Sequence, residues 1–223
     1  MKSSTFIAAA AFATFAGAAH ADLAATFGFT DMGANWDSST SVLTIAADES
    51  GAISTSGDIT NYLGDAFPTT ALFNSGFADG SSSADSSFVM ELSNITATTA
   101  DASGSFTITD INGDTLSGTY TGQWTNQFGF GFFDGEISAA SYNDVESGNN
   151  VFEGTAGQTF EVPTIDLNGA LSVLLQMPEW FSADNGNFEA RTTQLDGILA
   201  TVPTPGSLAL VGLGGLMTAR RRR

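Results

Sequence analysis

Along the middle of the chain apolar residues recur at every second position. That is the period of a strand with one buried face, not the 3.6-residue period of a helix. Ser105-Phe106-Thr107-Ile108-Thr109 alternates cleanly, and Ser87–Thr99 carries Phe88, Met90 and Leu92 on one face. The same pattern predicts strands over Leu23–Thr30, Ser41–Ala46, Thr115–Thr121, Gln123–Phe133, Glu136–Ser141, Val151–Glu153, Thr159–Val162, Leu171–Met177 and Phe188–Thr193. Gly, Asn, Asp and Ser separate them about every ten residues, the spacing of sandwiches and barrels. Asn112-Gly113 lies between two alternating runs and is the strongest hairpin signal. Helix signals in the body are poor: Tyr62–Phe73 is broken by Gly64 and Pro68, and Met177–Phe181 suits a single turn. Gly76–Ser87 reads as a Gly/Ser/Asp-rich loop, and 196–202 as a join between body and tail. The expected body is all-β, a single antiparallel β-sandwich or barrel-like domain.

Charge narrows the chemistry. The 223 residues hold no Cys, one His, six Lys+Arg and 24 Asp+Glu. Lys2 and Arg220–Arg223 sit at the two extremes and His20 near the start. Between Asp22 and Ala219, Arg191 alone stands against all 24 acids, a net charge of −23. Such a body has no counter-charge for nucleic acid phosphates. It lacks the His, Cys or Lys of a nucleophilic triad, a Cys-His pair or a Schiff base, and the His/Cys set of a zinc site. What remains is carboxylate chemistry, alone or with a hard cation. A hydrophobic fraction of 42% with 18 Phe supports a real core, and without Cys the fold rests on burial and not on disulfides.

Both ends read as addresses. Lys2, the apolar run Phe6–Ala19 and the small residues of Ala19-His20-Ala21 follow the order of a secretory signal, with cleavage before Asp22. At the other end Val202-Pro203-Thr204-Pro205-Gly206 is an extended peptide, because each proline fixes its own φ and biases its predecessor. An apolar stretch and Arg220, Arg221, Arg222 and Arg223 complete the chain. Thirteen helical residues rise about 20 Å, short of a hydrocarbon core of about 30 Å. The arginines hold that terminus in the cytoplasm. The expected organisation is a signal peptide over 1–21, an acidic β body over 22–201 and a tail over 202–223.

The tail resembles the PEP-CTERM protein-sorting signal of Gram-negative bacteria, in which a Pro-x-Pro motif, a hydrophobic helix and an Arg cluster close the chain. Pro203, Thr204 and Pro205, then Leu208–Met217, then Arg220–Arg223 match that order; Thr204 stands where the family motif has Glu. The resemblance covers about a tenth of the chain. It implies processing by exosortase, a membrane-embedded protease, after signal peptidase has acted, and export alongside extracellular polysaccharide. It also implies a transient inner-membrane anchor, then a place at the cell surface or outside it.

Within the body, Asp110, Asn112 and Asp114 place oxygen ligands at i, i+2 and i+4, like the first half of a calcium loop, although Thr121 occupies the position of the bidentate Glu. The competing reading is a hairpin turn with solvated acids. Calcium is thus the one cofactor to test. Asp134 and Glu136 flank Gly135 after an aromatic run, which raises a glycosidase reading on which one pair among 24 acids carries little weight. Phe128, Phe130 and Phe132 alternate as a core-facing strand does, with Gly129 and Gly131 on the other face. Trp36, Trp124 and Trp180 form a carbohydrate platform only if exposed. The expected role is a surface or matrix structural protein, not an enzyme; the alternative is a carbohydrate- or calcium-binding adhesion module.

Overall fold

The computed structural model describes residues 21–48, 54–64, 66–74, 84–143, 148–182 and 184–202. Residues 1–20 of the predicted signal segment, the motif residues after Val202, the apolar tail and Arg220–Arg223 lie outside these residues. The described residues from Asp22 to Val202 form one compact unit.

All regular structure here is strand. The elements are β1 Leu23–Thr30, β2 Gly33–Asp37, β3 Val42–Ala46, β4 Ser56–Asn61, β5 Thr69–Phe73, β6 Asp85–Ser93 and β7 Thr99–Thr109. They continue with β8 Thr115–Gln127, β9 Phe130–Asn143, β10 Val151–Glu153, β11 Ala156–Gly157, β12 Thr159–Glu161, β13 Leu167–Gln176 and β14 Phe188–Thr201. Eight of them close into an antiparallel barrel in the order β2-β3-β6-β7-β8-β9-β13-β14, with β14 returning to β2. The architecture is therefore the barrel, and closure removes the exposed edges that a sandwich would leave.

Closure depends on β14. Its first residues, from Phe188 to Arg191, pair with β2, and those from Leu195 to Ala200 pair with β1. β1 and β2 lie in line along it and are interrupted at Asp31, where φ is +59°, and Met32. There Thr192 bridges the break: its N–H donates to Met32 O at 3.0 Å and its hydroxyl accepts from Met32 N–H at 3.1 Å. Beyond the break β1 pairs on its other edge with β4, which leads to β5 and β11. A small β10–β12 hairpin packs on this branch through Phe152 and Phe73, whose ring centroids are 6.3 Å apart.

Aromatic rings and the glycines beneath them fill the barrel. Trp36, Trp124, Tyr120, Phe88, Phe106, Phe133 and Phe181 are all buried. Phe88 stacks on Phe106 at 5.5 Å, and Trp36 and Trp124 flank Phe181 at 5.1 and 5.5 Å. Such pairs contribute about 0.5–1.5 kcal/mol each beyond area burial. Phe106 faces Gly118 directly across its ladder, Phe27 faces Gly197, and Phe29 faces Gly57. At each of these glycines an added Cβ would sit 2.0–2.7 Å from the facing ring. The space a side chain would take is occupied by the neighbour's ring.

Four expectations change. Gln123–Phe133 is not one strand: β8 and β9 meet there in a hairpin turned by Phe128 and Gly129. The core-facing ring is therefore Phe133, fully buried; Phe128 is fully exposed and Phe132 is 38% exposed. The two-residue turn pairs Gln127 with Phe130 and Trp124 with Phe133, so the inward positions are even-numbered before the turn and odd-numbered after it. Ser87–Thr99 likewise divides, β6 ending at Ser93 and β7 starting at Thr99. The supposed loop Gly76–Ser87 already carries strand from Asp85. Finally 196–202 is no linker. Leu195, Gly197 and Leu199 point inward from the closing strand.

Candidate functional site

A concave polar surface crosses the outer face of the barrel where β14 meets β2. Alternation turns Ala34, Trp36, Phe188 and Ala190 toward the core and leaves Gly33, Asn35, Asp37, Glu189 and Arg191 on the outside. Register then sets Glu189 beside Asn35 and Asn35 beside Thr44. Arg191 lies beside Gly33 on one side and Gln176 on the other. Gln176 in turn lies beside Phe130 of β9. At a strand spacing of about 4.8 Å, this row from β9 to β3 spans about 19 Å.

Two adjoining clefts share Asn35 and Glu189. One, about 780 Å³, is lined by Asp37, Thr40, Val42, Thr44 and Asn187 as well. The other, about 630 Å³, is lined by Gly33, Asp48, Gln176 and Arg191. Arg191 Nη2 donates to Asp48 Oδ2 at 3.0 Å. Asp48 is held in place by Thr55, whose hydroxyl accepts from Asp48 N–H at 2.8 Å while Thr55 N–H donates to Asp48 O at 2.9 Å. Gly33 leaves room for this carboxylate, since a Cβ there would meet Asp48 Cβ at 3.3 Å. Asp37 fixes the adjoining turn. Its Oδ1 accepts from Ser39 hydroxyl at 2.7 Å and Ser39 N–H at 2.9 Å, and these bonds hold its pKa below the usual carboxylate value. Asn187 Oδ1 accepts from Ser38 N–H and Oγ at 2.9 and 3.0 Å. The clefts thus present an amide, a guanidinium and carboxylates side by side, a set suited to hydroxyl-bearing ligands.

The structure places the other candidates as follows. Asp110, Asn112 and Asp114 form the β7–β8 hairpin turn, with Asp110 and Asp114 both buried. Asp110 Oδ1 accepts from Asn112 N–H at 2.7 Å and Asp114 N–H at 3.0 Å, and its Oδ2 accepts from Glu153 N–H at 2.9 Å. Burial pushes the Asp110 pKa up against these bonds, and the Asp114 charge adds to the rise. Asn112 Nδ2 donates to Glu153 Oε2. Among the described residues no group of three or more His, Cys, Asp or Glu side chains is arranged to hold a metal ion. The Asp-x-Asn-x-Asp segment builds the turn and, through Asp110 and Asn112, its bonds to Glu153 of β10.

Asp134 and Glu136 stand exposed on the outside of β9, opposite Gln123 and Thr121. Neither lines the two clefts. Trp36 and Trp124 are buried, so the three tryptophans form no exposed platform; Trp180, half-buried, donates from Nε1 to Thr96 O at 2.7 Å. At the ends of the body, Asp22 N–H donates to Thr201 Oγ1 at 3.0 Å and Thr201 N–H donates to Asp22 O at 2.9 Å. Val202 N–H donates to Asp166 O at 3.4 Å. Of the cleft residues, Arg191 carried a sequence signal as the body's single cation, and Trp36, which also lines the first cleft, as an aromatic candidate. Asn35, Gln176 and Glu189 form no motif and meet only through strand register. Comparison with family models, curated proteins and solved structures finds no match to this chain.

Proposed function

We propose that this is an exported, acidic β-barrel protein of the cell surface or extracellular matrix, delivered through a C-terminal sorting signal of the PEP-CTERM type. The observation that carries the reading is the tail's order: Pro203-Thr204-Pro205, an apolar stretch, and Arg220–Arg223 at the terminus. Signal peptidase and an exosortase are the processing partners this implies. The geometry at Asp22 and Thr201 supports it. The expected signal-peptidase cut falls before Asp22, ahead of β1, and Asp22 bonds to Thr201 at the end of β14. Trimming to the body leaves every described strand pairing in place. The role is placement and solvation, not turnover. At physiological salt the −23 charge acts over about 8 Å and keeps the protein dispersed. Fractionation of cells expressing the full chain tests this: the body is expected at the surface or in the medium, and an intact cytosolic chain would overturn it.

A second reading is an adhesion module that binds carbohydrate or calcium, favoured by the polar clefts beside Arg191 and by the two buried acids Asp110 and Asp114. For calcium the test is melting in chelator against millimolar calcium. A rise of several degrees assigns a cation to Asp110, Asn112 and Asp114; an unchanged midpoint leaves them as a hairpin turn.

A further inference from the structure

Phe128 is fully exposed at the tip of the β8–β9 hairpin, with φ +55°, and Gly129 follows at +82°. Left-handed φ at both central residues of a two-residue loop defines a type I′ turn, for which Asn-Gly is the favoured pair. A bulky aromatic residue there strains the backbone and leaves its ring in water, so it serves neither the turn nor the core. An exposed aromatic outlier of this kind points to a contact made with something else.

The surrounding surface indicates what. Phe130 and Phe132 share the outer face of β9, because Phe133 is the ring that fills the core. Phe132 lies beside Leu174, and Phe130 beside Gln176, which opens onto Arg191, Asn35 and Glu189. An apolar strip thus runs into a cleft of paired donors and acceptors. This combination fits the apolar faces and hydroxyl edges of sugar rings, with a few polar groups fixing orientation. Charge selects among partners. A body of −23 repels nucleic acid, anionic lipid, acidic polysaccharide and a second copy of itself, whereas an uncharged polyol meets no such penalty.

We propose that the Phe128 hairpin and the adjoining Gln176–Arg191–Asn35 cleft bind an uncharged polysaccharide chain. This rests on the reading of the protein as extracellular, and it names the partner class. Electrophoresis of the full-length chain in mild detergent, through gels containing dextran, hydroxyethyl cellulose or soluble starch, tests it. Alginate gels and anionic vesicles serve as charged alternatives. Retardation by at least one neutral polymer is expected, equal in low and high salt. The substitutions Phe128→Asn and Gln176→Ala should each weaken it about tenfold, with melting temperatures no lower than about two degrees below the parent's. The proposal is overturned if none of the three neutral gels retards the protein. Retardation that survives both substitutions, or binding confined to alginate or vesicles, overturns it as well. The assay uses purified protein. A chain that is exported yet passes freely through the gels defeats this proposal alone, whereas a cytosolic chain that is retarded defeats the extracellular reading alone.

Discussion

Replacing Gly197 by alanine adds one carbon at a place where the barrel has no room for it. Gly197 lies on the closing strand, directly across from Phe27. An ideal Cβ would stand 2.0, 2.3 and 2.4 Å from Phe27 Cζ, Cε1 and Cε2, where carbon–carbon contact is comfortable at about 3.5–4.0 Å. The ring would have to retreat by about 1.5 Å, measured against that contact distance. Phe27 is only 2% exposed, and Phe29, Phe88 and Phe106 surround it at centroid distances of 6.3, 6.2 and 5.5 Å. In an open strand the same change would stabilise by about 0.4–1 kcal/mol through the unfolded state, so the clash decides the sign. Overpacking of this kind costs about 1–3 kcal/mol, which lowers the midpoint by roughly 2–12 °C for a domain of this size. Thermal unfolding followed by circular dichroism measures it. Combining Gly197→Ala with Phe27→Leu should cost less than the sum of the single changes, by about 0.5–3 kcal/mol. A Gly197→Ala protein that melts at or above the parent, or strict additivity in the double variant, would refute the ring-on-glycine account.

Other outcomes follow from the same structure. Phe128→Asn should raise stability by about 0.5–1 kcal/mol, because the tip ring packs on nothing and Asn tolerates left-handed φ; urea titration checks it. Asp110→Ala leaves three N–H groups, of Asn112, Asp114 and Glu153, without their acceptor. It should cost about 3 kcal/mol or more, with Asp110→Asn intermediate since it keeps one acceptor oxygen. Stability should also depend on acidity. Burial raises the pKa values of Asp85 and Asp110, so the folded state holds those protons more tightly than the unfolded chain. Stability falls as pH rises from about 4 through the raised values, and mutual repulsion of the ionised acids works in the same direction. Asp37 and Asp101 are depressed by hydrogen bonds and act oppositely, losing their contribution only below about pH 4. Melting temperature should therefore be higher near pH 5 than at pH 8, and added salt should narrow the gap; a midpoint that rises steadily to pH 8 contradicts this.

The all-β body was legible because period two survives burial on one face. β1 and β10 match their predicted ranges residue for residue, and the Asn112-Gly113 hairpin falls where the two alternating runs implied. Two of the strands that went unseen had little pattern to display. β2, Gly-Ala-Asn-Trp-Asp, and β4, Ser-Gly-Asp-Ile-Thr-Asn, are poor in β-formers and are held by their neighbours' ladders. The β8–β9 turn was hidden by its own chemistry. A Phe occupies the place where Asn or Gly would have announced a break, so two strands read as one and three rings were assigned to the wrong face. The polar clefts were illegible for a different reason. Asn35, Gln176, Glu189 and Arg191 come from three strands, and only the pairing of β14 with both β2 and β13 sets them side by side.

We propose that the closed barrel between Asp22 and Val202 is the cargo and that the segments on either side of it are removed in export. Intact-mass spectrometry of the protein recovered from the surface or medium of the exporting cell measures both cuts at once. The account predicts a species that begins at Asp22 and lacks Arg220–Arg223. A recovered chain that begins at Met1, or that still carries the four arginines, would contradict it.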